Sequence, residues 1–148
     1  MLKIVISIFL IFGFINADEN IKKQKLKIIQ ELNSSLYSND SEKIYSLYKK
    51  LADIYAKNCE YYKALEYYKL SLKIHRILKT PQNKEKLNIY KNIALCYKKI
   101  GNNFKTFKYI YKAVQLASIT YGKNSKITKN LNTQIKEIHS RLIANSIY

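Results

Sequence analysis

Histidines, cysteines and carboxylates are the side chains from which this chain could build a reactive centre, and it has few of them. The 148 residues include 2 His, 2 Cys and 10 Asp plus Glu, against 27 Lys plus Arg. His75 and His139 fall on apolar helical stripes, and neither has a second ligand at metal spacing. Cys59 and Cys96 could pair only if their α-carbons came within about 7 Å. One falls at the end of a predicted helix and the other inside a later one, so two free, buried-type thiols are expected. Asp40, Glu42 and Glu60 read as helix-end residues rather than an acid–base pair. With 3 glycines in the whole chain there is no phosphate-cradling loop. The 14 tyrosines could stack on nucleotide bases. However, Tyr48, Tyr55, Tyr68, Tyr90 and Tyr97 recur at core spacing, which argues for packing and against a nucleic-acid partner. The expectation is no enzyme, no cofactor and no metal.

The elements that would position any site follow from an internal repeat. Slid along itself until Tyr48 falls on Tyr90, the chain also places Leu51 on Ile93, Ala52 on Ala94 and Tyr55 on Tyr97. In the same alignment Tyr62 meets Phe104, Tyr67 meets Tyr109 and Ile77 meets Ile119. A period of this size marks stacked supersecondary units, each too small to bury its own apolar face. Apolar residues at helical spacing predict six helices, over about 20–37, 41–57, 61–79, from after the Thr80-Pro81-Gln82-Asn83 break to about 100, 104–121 and from 125 onward. In the first, Ile21, Leu26, Ile29, Leu32 and Leu36 share a stripe. Asn39 with Glu42 has the capping-box spacing, Pro81 interrupts the middle of the chain, and Gly101 and Gly122 fit helix C-caps. No segment alternates with period two, so the fold class is all-α. Helices two and three form one unit and helices four and five the next. The first and sixth would cover the ends.

The first seventeen residues differ from the rest. A short basic start, an apolar run over Ile4–Ile15 and a small residue at Ala17 before Asp18-Glu19 have the layout of a secretory signal peptide. The run is shorter than the roughly 20 apolar residues of a membrane-spanning helix. We expect cleavage near Ala17 and export, leaving an N-terminal capping helix over 18–40 and a repeat domain over 41–148. The formal net charge of +17 favours acidic partners. Lys, Asn, Ile and Tyr are all abundant, so compositional bias accounts for part of that charge.

Tyr48-x2-Leu51-Ala52-x2-Tyr55, followed by Glu60-Tyr61-x2-Ala64-x3-Tyr68, resembles a tetratricopeptide repeat. Tyr90-x2-Ile93-Ala94-x2-Tyr97-x3-Gly101-Asn102, ending in Ala113-Val114, resembles a second. The longer period and the segment Tyr121-Gly122-Lys123-Asn124-Ser125 look like the 42-residue variant of kinesin light chains. The resemblance spans about residues 44–142. It departs from the pattern where Thr106 replaces an Ala and Cys59 replaces a Gly. It implies a right-handed α-solenoid of stacked antiparallel helix pairs, whose first helices line a concave groove for a peptide or a partner helix. Carried over, the groove presents Lys49, Lys50 and Asp53 from the first unit and Asn88, Lys91, Asn92, Leu95 and Lys98 from the second. Ser46, Lys57, Lys99, Gln134, Glu137 and Arg141 flank them. Lys49, Lys91 and Lys98, with Asn88 and Asn92, would hold a carboxylate and the backbone amides of a peptide.

The function expected is therefore an exported scaffold or adaptor that binds a peptide segment or partner subunit. The alternative is a basic envelope or secreted protein held on an anionic lipid, polysaccharide or nucleic acid by charge alone. Membrane contact would come through the signal peptide or peripheral charge, and homodimerisation through an open end would supplement the stability of a short stack.

Overall fold

In the computed structural model the backbone is described for residues 2–78 and 83–144, and side chains for 18–78 and 83–144. Six helices make up the described residues: α1 (Leu2–Tyr37), α2 (Ser41–Lys57), α3 (Tyr61–His75), α4 (Asn83–Lys99), α5 (Asn103–Tyr121) and α6 (Lys126–Ala144). No strand occurs among the described residues. Each helix packs on the next in sequence, α1 on α2 through to α5 on α6. This consecutive stacking is the signature of a solenoid. The bounds of α4 are those of α2 moved on by one full repeat, and α5 starts one repeat after α3.

The repeat reaches into the core. Leu51, Ala52, Ile93 and Ala94 are fully buried, as are Ala64 and Ala113, so small residues set the close approach within each helix pair. Around them stands the same three-tyrosine stack in both units. Tyr67 lies 6.2 Å from Tyr48 and 5.3 Å from Tyr55. Tyr109 lies 6.2 Å from Tyr90 and 5.6 Å from Tyr97. Thr106, the departure from alanine, is buried without penalty because its Oγ1 donates to the Asn102 carbonyl at 2.8 Å.

Three interhelical turns use one device. Asn39, Cys59 and Gly101 have φ of 57°, 60° and 83°. The amide that follows each of them bonds back to the preceding helix: Asp40 N–H to Ser35 O, Glu60 N–H to Tyr55 O, and Asn102 N–H to Tyr97 O. That 6→1 bond, with the shorter bond from the left-handed residue itself, closes a Schellman motif. The N-cap of α2 is therefore Asp40, whose side chain accepts from the Lys43 amide, and not Asn39, which supplies the left-handed turn. Cys59 does the same work, which leaves its thiol exposed rather than buried as expected.

Other expectations shift by smaller amounts. α3 ends at His75, where the Arg76 and Ile77 amides tighten to bonds with Lys73 and Ile74, instead of running to Lys79. Pro81 lies outside the described residues. α1 is continuous from Leu2, and its inward face is Lys25, Ile28, Leu32 and Ser35. Leu26 and Leu36, assigned to that stripe from spacing, are 57% and 48% exposed.

α6 begins a third unit and departs from the other two at its small-residue positions. Leu131 and Ile135 repeat Ile89 and Ile93 and face inward. Lys136 stands where the other units have Ala52 and Ala94, and His139 where they have Tyr55 and Tyr97. Both are exposed, so α6 offers no small-residue seat for a further helix. Its start is capped by Ser125, whose Oγ accepts from the Thr128 amide.

Candidate binding groove

Asp53, near the end of α2, is the hub of a polar network joining three helices. Its Oδ1 accepts from the Tyr68 hydroxyl of α3 at 2.6 Å and from Asn92 Nδ2 of α4 at 3.2 Å. Asn92 Nδ2 also donates to the Tyr68 oxygen at 3.0 Å, and Lys49 Nζ pairs with Asp53 Oδ2 at 3.2 Å. The Tyr68 hydroxyl is pushed well above its ordinary range, first by burial and then by its bond to Asp53, so it remains a donor at neutral pH. Cys96, beneath the same network, is pushed up to about 11 by burial and by the Asp53 charge, which keeps it a neutral thiol.

Two clefts open on either side of this network and meet at Asn92 and Leu95. The first, of about 480 Å³, lies between α2 and α4 over α3; Asp53, Lys57, Tyr61, Tyr68 and Lys99 line it. The second, of about 250 Å³, lies between α4 and α6 over α5 and is lined by Lys91, Lys98, Gln134, Glu137 and Arg141. Leu95, 53% exposed, stands at the junction as an apolar contact. α2, α4 and α6 form the walls because each starts a unit; α3 and α5 form the floor.

The structure thus brings Asp53, Lys91, Asn92, Leu95 and Lys98 together at one continuous surface. Lys49 turns instead to Asp53, and Lys50 and Asn88 are exposed without lining either cleft. Asn92 is not a free amide: its nitrogen serves Asp53 and Tyr68, leaving the carbonyl oxygen as the open group. Sequence reasoning placed Tyr68 in the core and missed its second role. The signal was available in the pairing of an inward tyrosine with the acidic Asp53 on the facing helix.

Outside the groove the remaining candidates stay apart. His75 is buried with its ring 5.6 Å from Tyr45, and His139 is exposed beside Phe107. Both cysteines are free. Among the described residues no cluster of three His, Cys, Asp or Glu could hold a metal ion, and no helix is long and apolar enough to cross a membrane.

No protein-family model and no curated protein matches the chain. Solved structures similar to it include the following two. One is BtubC (BKLC) from P. vanneervenii, with a TM-score of 0.60 and 17% identity over 82% of this chain and 50% of that one. The other is the N-terminal domain of stress-induced protein-1 (STI-1) from C. elegans, with a TM-score of 0.54 and 10% identity over 80% of this chain and 97% of that one. This chain spans half the length of BtubC. At these identities the likeness is one of fold, and that fold is the tetratricopeptide-type helical repeat expected from the sequence.

Proposed function

We propose that this chain is an exported protein-interaction scaffold that holds an extended segment of a partner protein in the groove across α2, α4 and α6. The observation that supports this best is the junction of the two clefts at Asn92 and Leu95. A groove continuous over three helices fits a chain better than a small molecule, and an exposed leucine between polar walls gives a segment one apolar anchor. Export rests on the layout of residues 1–17.

Photo-crosslinking tests the reading directly. A benzophenone amino acid is placed at Leu95 and, as a control, at exposed Ile119 of α5, in the full chain expressed in its own cells. A discrete protein adduct formed from position 95 and not from 119 is the expected result. Equal, heterogeneous adducts at both positions would instead support adhesion by charge alone.

A further inference from the structure

We propose that the face of α3 and α5 turned away from the groove seats the protein peripherally on an anionic lipid bilayer, with Tyr62, Phe104, Tyr111 and Ile119 entering the headgroup layer between lysines. This goes beyond the groove reading and does not depend on it. Among the described residues α2 and α4 expose one large apolar side chain, Leu95. The outer sides of α3 and α5 expose Tyr62, Phe104, Tyr111 and Ile119, with Phe104 at 70% and Ile119 at 79%. Tyr62 and Phe104 stand at one position of the repeat, in the first turn of each helix. Ile77, exposed just past the end of α3, is the counterpart of Ile119. Scattered apolar residues are ordinary on a protein surface, whereas a set repeated in both units on one side is a patch.

Helix geometry gathers these groups. At about 100° per residue, Phe104, Lys108, Tyr111, Gln115 and Ile119 fall within about 80° of one another around α5. They lie about 100–180° around the helix from Ile110, which lines the groove. Tyr62, Lys69 and Lys73 lie about 100–140° from Tyr68, which also lines it. Tyr62, Glu66 and Lys69 share a shallow cleft of about 290 Å³ with Lys105, so the two helices present one surface. The line from Phe104 to Ile119 runs about 22 Å along the axis at 1.5 Å per residue.

Charge complementarity selects the partner. α5 carries Lys105, Lys108 and Lys112 and no acid, and α3 carries one acid, Glu66, against Lys63, Lys69 and Lys73. Lys69, Lys73 and Lys108 are exposed, and none takes part in the ion pairs of the described residues. Lys108 stands inside the apolar line, between Phe104 and Tyr111, where its stem lies along apolar surface and its ammonium reaches outward to a phosphate. Lysine is depleted from the cores of protein–protein contacts. Stacking on nucleic-acid bases needs rings, which Ile77 and Ile119 lack. A bilayer surface suits both kinds of group, because apolar side chains leave water while lysines approach anionic headgroups. Amphipathic helices of this kind lie in the membrane plane, sunk by about 5–10 Å. Seated in this way, the chain turns its groove to the aqueous side.

The chain has no Trp, so a single introduced one reports its own surroundings. The full chain is prepared as Phe104→Trp, as Ile119→Trp and, on the groove, as Leu95→Trp. Each is titrated with vesicles of brominated phosphatidylcholine, with and without phosphatidylglycerol. Fluorescence of Phe104→Trp and Ile119→Trp is expected to be quenched and that of Leu95→Trp is not, and omitting phosphatidylglycerol should raise the lipid needed about tenfold. Adding Lys69→Gln, Lys73→Gln or Lys108→Gln to Phe104→Trp should raise the lipid for half-quenching about fivefold each, while the same change at exposed Lys43, Lys50 or Lys98 should not. Equal quenching of all three tryptophan variants, or equal effects of the control lysines, would overturn the proposal in favour of adhesion in no fixed orientation. Equal quenching without phosphatidylglycerol would overturn the role of charge. Unquenched Phe104→Trp and Ile119→Trp would overturn it as well, including the case in which the apolar run over Ile4–Ile15 alone holds the chain on the vesicle. A shift in Phe104→Trp emission with a single-stranded oligonucleotide or polyglutamate, and none with vesicles, would overturn it by assigning the face to a polyanion. The Leu95 crosslink reads the groove separately, so either reading can fail alone.

Discussion

Cys59 holds a backbone conformation that its β-carbon opposes. At φ 60° a non-glycine residue costs about 1–2 kcal/mol, and the equivalent turn in the second unit uses Gly101. Cys59→Gly should raise stability by about 0.5–1 kcal/mol, read as a higher thermal midpoint. Gly101→Ala should lower it by about 1 kcal/mol, from backbone strain alone because an added β-carbon meets nothing within 4 Å. The two thiols should also separate in a labelling assay. Exposed Cys59 reacts with a maleimide in the native state, while Cys96, buried and pushed up to about 11, reacts only as the protein unfolds. Two equally fast thiols would contradict the burial of Cys96. The left-handed turn at Cys59 was hard to read from residue type alone; only its alignment with Gly101 signals it.

At the scale of elements, the docking of α1 depends on polar contacts as much as on Leu32. Lys25 bonds to Glu60 and lies 4.2 Å over the Tyr55 ring, while Lys63 and Asn58 hold the same carboxylate. The Glu60 carboxyl is lowered to about 2 by those bonds, that of Lys25 foremost. A depressed carboxyl stabilises the fold above its ordinary pKa of 4.5 and loses that contribution as pH falls towards about 2. Protection of the amides in residues 25–35, relative to their intrinsic exchange at each pH, should therefore fall over that acid window, and Glu60→Gln should weaken the dependence. The joint between units is held differently, by Asp53 accepting from α3 and α4 at once. Tyr68→Phe removes one of these bonds and should cost about 1 kcal/mol, whereas Leu51→Ala in the core should cost about 2–5 kcal/mol in a urea titration. Helix number and the starts of α2, α3 and α5 were legible because apolar periodicity is strong, whereas α1 begins at Leu2 and not near residue 20. The rotation of α1 was not legible, because Lys25 reaches inward to Glu60 and Ser35 is buried with its hydroxyl donating to the Glu31 carbonyl of its own helix, neither of which hydrophobic spacing registers.

For the whole molecule, the internal repeat contained most of the architecture, since each unit can bury its apolar face only on the next. The groove was partly legible for the same reason: equivalent positions share a wall. What spacing could not show was which of its polar groups spend their hydrogen bonds within the fold, as Lys49 and the Asn92 nitrogen do. The leader reading makes its own prediction, that mature protein from the source cells begins at Asp18 by N-terminal sequencing; an intact Met1 would refute cleavage. The matching bounds of α2 and α4 have a further consequence. Because α2 and α4 share one length and the turns after them share one chemistry, residues 83–124 form a cassette of one full repeat. Duplicating that cassette before α6 should yield a longer protein with one more layer and a groove extended by one rung. Copy number, rather than new sequence, would then tune how long a partner segment the protein can span.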